Sequence, residues 1–505
     1  MNQQLRARWI LALIGGLGGL VLSGLVEVVH RGLMDELAMT PFSALVITFF
    51  ATLLAMAGPL GPLRAGVRAA GLALVVALLV WLVSLRFEGV GGLFYSPLPV
   101  LAALVVAGLP VPFLISQAGP GWRDYPSLFI EAWAIVVRYA AAWAFTGLVW
   151  LVIYLSDEVL GIVGITVIGD LLRHEVVPLV ITGAVLGLAM AVVYELADLV
   201  SPYLVLRLFR LLLPVVLAVM VVFLVAVPVR GLTGLFSGLS PALLLLAMVA
   251  AGVSLVSIAV DQSDADATES VFLRRAAQGQ ALILPVVAGL AGWAIWQRVG
   301  QYGWTPDRVF VALVALVAVT YGVIYAVAVV RGAGWMGRIR QGNLWMALGV
   351  IGRAALWLTP VLNAERISAA DQLARFEAGQ TAVEALDFHE IGRWGKPGAA
   401  ALVTLEAMAK EPGHEALAAL LAGEAGGGVP RAERVAELAA ILPVQPAGAT
   451  GIRSVLLDAA DDYLLDDWTG FCRKTLEGDR PSCVLVVAEL LPLRPGEEGF
   501  LFLYR

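Results

Sequence analysis

Residues Val309–Val330 read VFVALVALVAVTYGVIYAVAVV, an uncharged run that ends against Arg331. At ~1.5 Å of rise per residue, a helix of that length reaches about 33 Å, enough to cross the ~30 Å hydrocarbon core of a bilayer. The same reading recurs on either side of it. Comparable apolar stretches lie at 9–29, 42–59, 66–84, 94–115, 132–155, 176–197, 208–229, 237–259, 279–297 and 344–360, separated by charged or Pro/Gly-rich breaks. The whole chain agrees, with 60% hydrophobic residues, 14% charged residues and a mean hydropathy of +0.88. Soluble chains carry about 25% charge. That deficit excludes a disordered or nucleic-acid-wrapping protein. The expected fold is an all-α polytopic membrane protein of about eleven transmembrane helices, followed by a mostly helical α+β domain.

Three segments read less simply. The fourth stretch carries Pro97, Pro99, Pro110 and Pro112 towards its ends, which shortens its expected helical core. Val159–Gly169 is too short to span and fits a re-entrant or interfacial segment. The stretch 344–360 has Arg353 near its middle and either spans or does not cross at all. The first stretch follows Arg6 and Arg8 like an export signal, yet it is long and shows no small-residue cleavage site, so a retained span is expected.

Charge divides the chain near residue 360. Residues 1–360 contain 20 Arg, no Lys and 17 acidic residues, whereas residues 361–505 contain 10 Arg, 3 Lys and 22 acidic residues. A membrane domain, 1–360, and an acidic soluble domain, 361–505, are therefore expected. With the N-terminus placed in the cytoplasm, thirteen arginines of the loops and span ends fall inside and six outside. That bias satisfies the positive-inside rule. Eleven crossings then put residues 361–505 outside, in the periplasm of a bacterial inner-membrane protein.

Cys472 and Cys483, the only cysteines, flank the turn-like Gly478–Pro481 in that second domain. Such a pair suits a disulfide in an oxidising compartment. Val484–Val487 and Phe500–Tyr504 are β-prone and are expected to pair as a hairpin. No metal site is expected: no His lies near either Cys, and the acidic set around Asp458–Asp467 departs from the calcium-loop spacing. No cofactor is expected either, because the chain lacks G-x-S-x-G, H-E-x-x-H and glycine-rich phosphate motifs.

Ionisable and polar residues inside spans are costly, which makes them site candidates. Arg353 leads these as an anchor for an anionic lipid or substrate, or as a lock between helices. Glu131 and Arg138 fall two turns apart in the fifth span, and Tyr321 and Tyr325 in the tenth are polar enough to line a cavity. GGLGG at 15–19 and the small-residue run at 139–143 read as close helix packing.

Three stretches carry a family resemblance. Ala142–Ile165, Gln301–Val311 (QYGWTPDRVFV) and Leu362–Gln380 (LNAERISAADQLARFEAGQ), the last continuing to LDFHEIGRWG at 386–395, are similar to the bacterial membrane protein family labelled domain of unknown function 4153. The resemblance implies a many-helix membrane domain with an extracytoplasmic tail, and no substrate or catalytic residue. In the inferred topology Tyr302 and Trp304 share the outer side with Arg366, Asp371, Arg375 and Asp387, so the two blocks are expected to meet there. Thr305 is the expected cap of a helix begun by Pro306.

Three functions compete at this stage: a transporter or lipid-handling permease; an assembly, sensory or scaffold protein working through its periplasmic domain; and a membrane enzyme on a lipid-linked substrate. The expected partners are membrane lipids, with envelope proteins or a small-molecule or lipid substrate, and no nucleic acid.

Overall fold

A computed structural model describes residues 3–195, 202–234, 241–426, 431–446, 448, 450–460, 462–476, 480–488 and 498–503. Among them ten helices are long and apolar enough to cross a membrane, which makes the chain a multi-pass integral membrane protein. They are α1 (Leu5–His30), α2 (Glu36–Leu60), α3 (Pro62–Ser84), α4 (Leu98–Ser116), α5 (Tyr125–Ile162), α6 (Val176–Glu195), α7 (Val205–Val227), α8 (Pro241–Val260), α9 (Val271–Tyr302) and α10 (Pro306–Val330). A further helix, α11 (Trp335–Trp357), meets that measure only together with the segment beyond it, across a 72° bend into α12 (Ala364–Glu377).

Several starts are fixed by side chains that accept from exposed backbone N–H groups. Asp35 caps α2, Asp124 caps α5, Ser270 caps α9 and Asn363 caps α12. Thr305 caps α10 with Pro306 as its first residue, as its sequence implies. α4 is built from two pieces, Leu98–Gly108 and Pro110–Ser116, because Pro110 and Pro112 break its middle.

The stretch at 159–169 is not a span of its own. It comprises the end of the 38-residue α5, a turn with positive φ at Gly164, and the start of a short helix, Val167–Leu172.

Helices α1 and α6 lie antiparallel and touch backbone to backbone. A Cβ built on Gly183 would sit 2.1 Å from the Gly15 carbonyl oxygen, and one on Gly187 would sit 2.0 Å from the Leu11 oxygen. Gly15, Gly19, Gly183 and Gly187 therefore form a small-residue seam of the kind that drives association in lipid. Arg8 locks its far end to Glu195 through contacts of 2.6 and 2.9 Å. Of the alanines in 139–143, Ala142 is fully buried beside Ala189 and Met190, whereas Ala140 is exposed.

Two compact units divide the chain. The first comprises residues 1–382 and 386–402, and the second 383–385 and 403–505. The division therefore falls 42 residues later than the hydropathy boundary at 360 (402 against 360). Hydropathy marks where spans stop, but the bend after α11 returns the next segment onto the helices of the first unit.

The second unit contains α13 (Glu415–Gly426), α14 (Arg431–Ile441), α15 (Thr450–Ala459) and α16 (Asp462–Cys472). Its sheet has the order β1 (Val444–Gln445), β2 (Cys483–Ala488), β3 (Glu498–Leu503). β1 is parallel to β2, and β2 pairs antiparallel with β3 from Cys483↔Leu503 to Ala488↔Glu498, the expected hairpin. Cys472 and Cys483 are disulfide-bonded within the core that includes Leu438, Leu457, Leu465 and Leu485.

The seam gives a direct test. Gly183→Ala is expected to destabilise the protein by about 1–3 kcal/mol through overpacking. Gly24→Ala, where nothing lies within 4 Å, should be near neutral. Thermal unfolding of both variants in detergent compares them, and equal melting temperatures would remove the seam as a stabilising contact.

Candidate functional site

The segments at 85–97, which include the short helix Val90–Tyr95, at 303–305 and at 358–363 gather at one rim of the first unit, and residues 386–402 pack there too. Arg86 ties them together. It follows α3 directly and is only 5% exposed. Its Nη1 donates to Glu365 Oε2 at 2.9 Å, and its Nη2 donates to the carbonyls of Trp357 (2.7 Å), Thr359 and Leu362. One guanidinium thus closes the end of α11 and holds α12 across the bend. Burial pushes Arg86 below its ordinary pKa, and the Glu365 carboxylate opposes that shift. Gly395 presses on the same segment: its φ is +61°, and a Cβ there would lie 2.5 Å from the Arg86 oxygen.

Beside this pair lies a polar cleft of about 330 Å³, lined by Tyr95, Asp307, Glu365, Glu390, Arg393 and Trp394 among others. Its wall is a connected network. Arg393 donates to the Tyr95 hydroxyl at 2.6 Å and stacks over that ring at 4.3 Å. Tyr95 donates to Glu390 Oε2 at 3.2 Å, and the Trp394 indole donates to Oε1 at 3.3 Å. Asp387 sets Glu390 by capping the helix Phe388–Gly392. Glu365 and Glu390 are therefore engaged by neighbours, while the exposed Asp307 offers its carboxylate to whatever enters.

An apolar groove of about 470 Å³ opens from the same rim between α1, α2, α3 and α4. It follows α2 from Glu36 to Thr48, about 18 Å at the helical rise. Leu93 and Pro99 line both the groove and the cleft, so the two lie side by side and share a wall.

The two sequence blocks expected to meet do so on this rim. Asp371 accepts from the Trp304 N–H at 2.7 Å, and Gln372 donates to the carbonyls of Tyr302 and Trp304. Arg375 donates to the Gly300 and Gln301 carbonyls at 3.1 and 3.2 Å. Gly303, at φ +73°, admits this approach: a Cβ would lie 2.6 Å from Asp371 Oδ2. Tyr302 also receives the Arg308 guanidinium over its ring at 5.5 Å. Arg366 lies in the first turn of α12, its backbone N–H donated to Asn363, and Asp387 is the helix cap described above.

The remaining candidates are placed differently from their sequence reading. α11 begins at Trp335, so Arg353 is four residues from its end and not near the middle of a span. Tyr325 does not line a cavity: it is fully buried, its hydroxyl bonded to Ser257 (2.7 Å) and Asn343 (2.6 Å). Tyr321 packs edge-on against it at 5.9 Å. Arg138 and Glu131 form no ion pair among the described residues. Arg138 lies over the Tyr194 ring at 4.9 Å, and Glu131 Oε2 is buried without a hydrogen-bond partner. Among the described residues no group of three or more His, Cys, Asp or Glu is arranged to hold a metal.

The sequence reading missed Arg86, Glu365, Glu390 and Arg393. Each sits in a turn or helix start where charge looks like ordinary solvated surface, and only the bend after α11 brings them together. No protein-family model, curated protein or solved structure matches the chain.

Breaking a buried pair from one side leaves a stranded charge and typically costs about 3–5 kcal/mol. Arg86→Met is expected to fall in that range. Arg86→Met combined with Glu365→Met should recover part of the loss, the uncapped α11 carbonyls keeping the remainder. Melting temperatures of the two variants in detergent check this, and a double variant no more stable than Arg86→Met would remove the coupling.

Proposed function

We propose that the protein handles lipids: the apolar groove holds the tail of an amphiphile and the adjoining cleft its polar head. The supporting observation is the adjacency of groove and cleft, which share Leu93 and Pro99 as wall residues. A groove of about 18 Å is close to half of a ~30 Å hydrocarbon core, which suits a tail drawn from one leaflet. The head would meet Asp307, Arg393 and the Tyr95 and Trp394 rings, a mixture that suits a polar or zwitterionic group.

A conduit for polar solutes past Arg353 has less support, since that residue's surroundings are almost wholly apolar. A membrane enzyme acting on the head group is the second reading, favoured by Asp307 and Glu390 lining one cleft.

In this proposal the chain belongs to the family labelled domain of unknown function 4153, on the strength of the three similar stretches. It lies in a bacterial inner membrane with its N-terminus in the cytoplasm. The arginine bias and the Cys472–Cys483 disulfide both support a periplasmic placement of the segment after α11. A reporter fused after Arg505 is expected to work only outside the cytoplasm, and one active only in the cytoplasm would overturn the orientation.

Ala44→Phe, which fills the groove, is expected to lower co-purifying phospholipid by about tenfold, corresponding to ~1.4 kcal/mol of binding. Lipid mass spectrometry of the purified protein measures it. Unchanged lipid in a normally folded variant would overturn the tail site.

A further inference from the structure

A second groove, of about 250 Å³, lies between α4, α10 and α11, and its lining includes Leu101, Val105, Phe310, Val314, Arg353 and Trp357. It is apolar except for one cation. In an α-helix side chains lean towards the N-terminus. Arg353 follows that rule, its Nη1 donating to the Gly349 carbonyl at 3.1 Å. Gly349 leaves room for this, since a Cβ there would sit 2.9 Å from the same nitrogen. The guanidinium is therefore directed along α11 away from the helix end at Trp357. Among the described residues no carboxylate lies within ion-pair distance of it.

The wall around it offers nothing to compensate the charge: Trp357 is 2% exposed and packs edge-on against Phe310 at 5.5 Å. A charged donor in an apolar groove, with no acceptor from the described residues beyond one backbone carbonyl, calls for an anion attached to a hydrocarbon tail. Nor is Arg353 required at the end of its own helix, because Arg86 already accepts that role.

We propose that this groove is a binding site for an anionic phospholipid, its phosphodiester on Arg353 and an acyl chain along Leu101, Val105 and Val314. The site is separate from the groove and cleft of the proposed function, with which it shares no lining residue. The apolar walls require the tail, so inorganic phosphate alone is not a ligand.

The full-length protein in a neutral detergent is titrated with phosphatidylglycerol, phosphatidylcholine or inorganic phosphate, and thermal stability is followed. Phosphatidylglycerol should raise the melting temperature at lower concentration than phosphatidylcholine, and phosphate should have no effect. Arg353→Gln should weaken the apparent phosphatidylglycerol affinity by about tenfold, the scale of a lost charge-assisted hydrogen bond, and leave phosphatidylcholine unchanged. Val314→Trp, which keeps the charge and fills the groove, should also abolish the preference. Equal responses of the wild type to the two lipids would overturn the site, as would an undiminished preference in either folded variant. A response to phosphate matching that to phosphatidylglycerol would show an ion site without a tail and would likewise overturn it.

Discussion

Every helix leaves its last carbonyls without an intrahelical partner, and a bilayer supplies no water to satisfy them. This protein meets that constraint repeatedly with arginine. Arg68 reaches Leu114 near the end of α4, and Arg210 and Arg340 take Ile258, Val260 and Asp261 at the end of α8. Arg308 and Arg375 serve the end of α9, Arg338 the end of α10 and Arg86 the end of α11. A guanidinium offers five donors in a planar fork and carries a charge that suits the negative end of the helix dipole. The absence of Lys from residues 1–360 fits this use, because an ammonium has three donors on one atom and lacks the wide, fixed fork of a guanidinium.

The same constraint organises the opposite rim. Asp261 follows α8 at φ +53°, a conformation uncommon outside glycine. Burial pushes its carboxyl up, while the Gln262 N–H and the Arg210 and Arg340 guanidinia pull it down. Arg340 also reaches Asp264 at 2.8 Å. Polar closure at both rims leaves most of the interior to apolar packing. Among the described residues Tyr325, Ser257, Asn343 and Tyr125 form an interior cluster whose hydroxyl and amide groups satisfy one another, and the Gln280 side chain and Glu131 Oε2 are further buried polar groups.

The spans were legible because their signal is local: a run of apolar residues of bilayer length is its own statement. So were the glycine seam, the Thr305–Pro306 helix start, the β2–β3 hairpin and the meeting of Trp304 with Asp371, each carried by short motifs. The polar cleft was not legible. Tyr95, Asp307, Glu365 and Arg393 are far apart in sequence, and each alone resembles a charge at a span end. Arg353 was legible as an anomaly but misplaced, because Arg338 and Arg340 interrupt the hydropathy of α11 and hide its first nine residues. The compact units divide near 402 and not at 360 for a related reason: composition reports what a segment can dissolve in, and not what it packs against.

The arginines also differ in what they leave over. Arg86, Arg210, Arg338 and Arg340 each bond two or more carbonyls, so closure of a helix end accounts for them. Arg353 bonds one carbonyl of its own helix, and that oxygen belongs to Gly349, inside α11 and not among its last four residues. An interior carbonyl already has its helical donor, so this contact relieves no orphan group. The requirement that explains the arginines at the rims thus does not extend to Arg353. Its charge sits in an apolar wall without a structural debt to settle, which is why a ligand explains it better than the fold does.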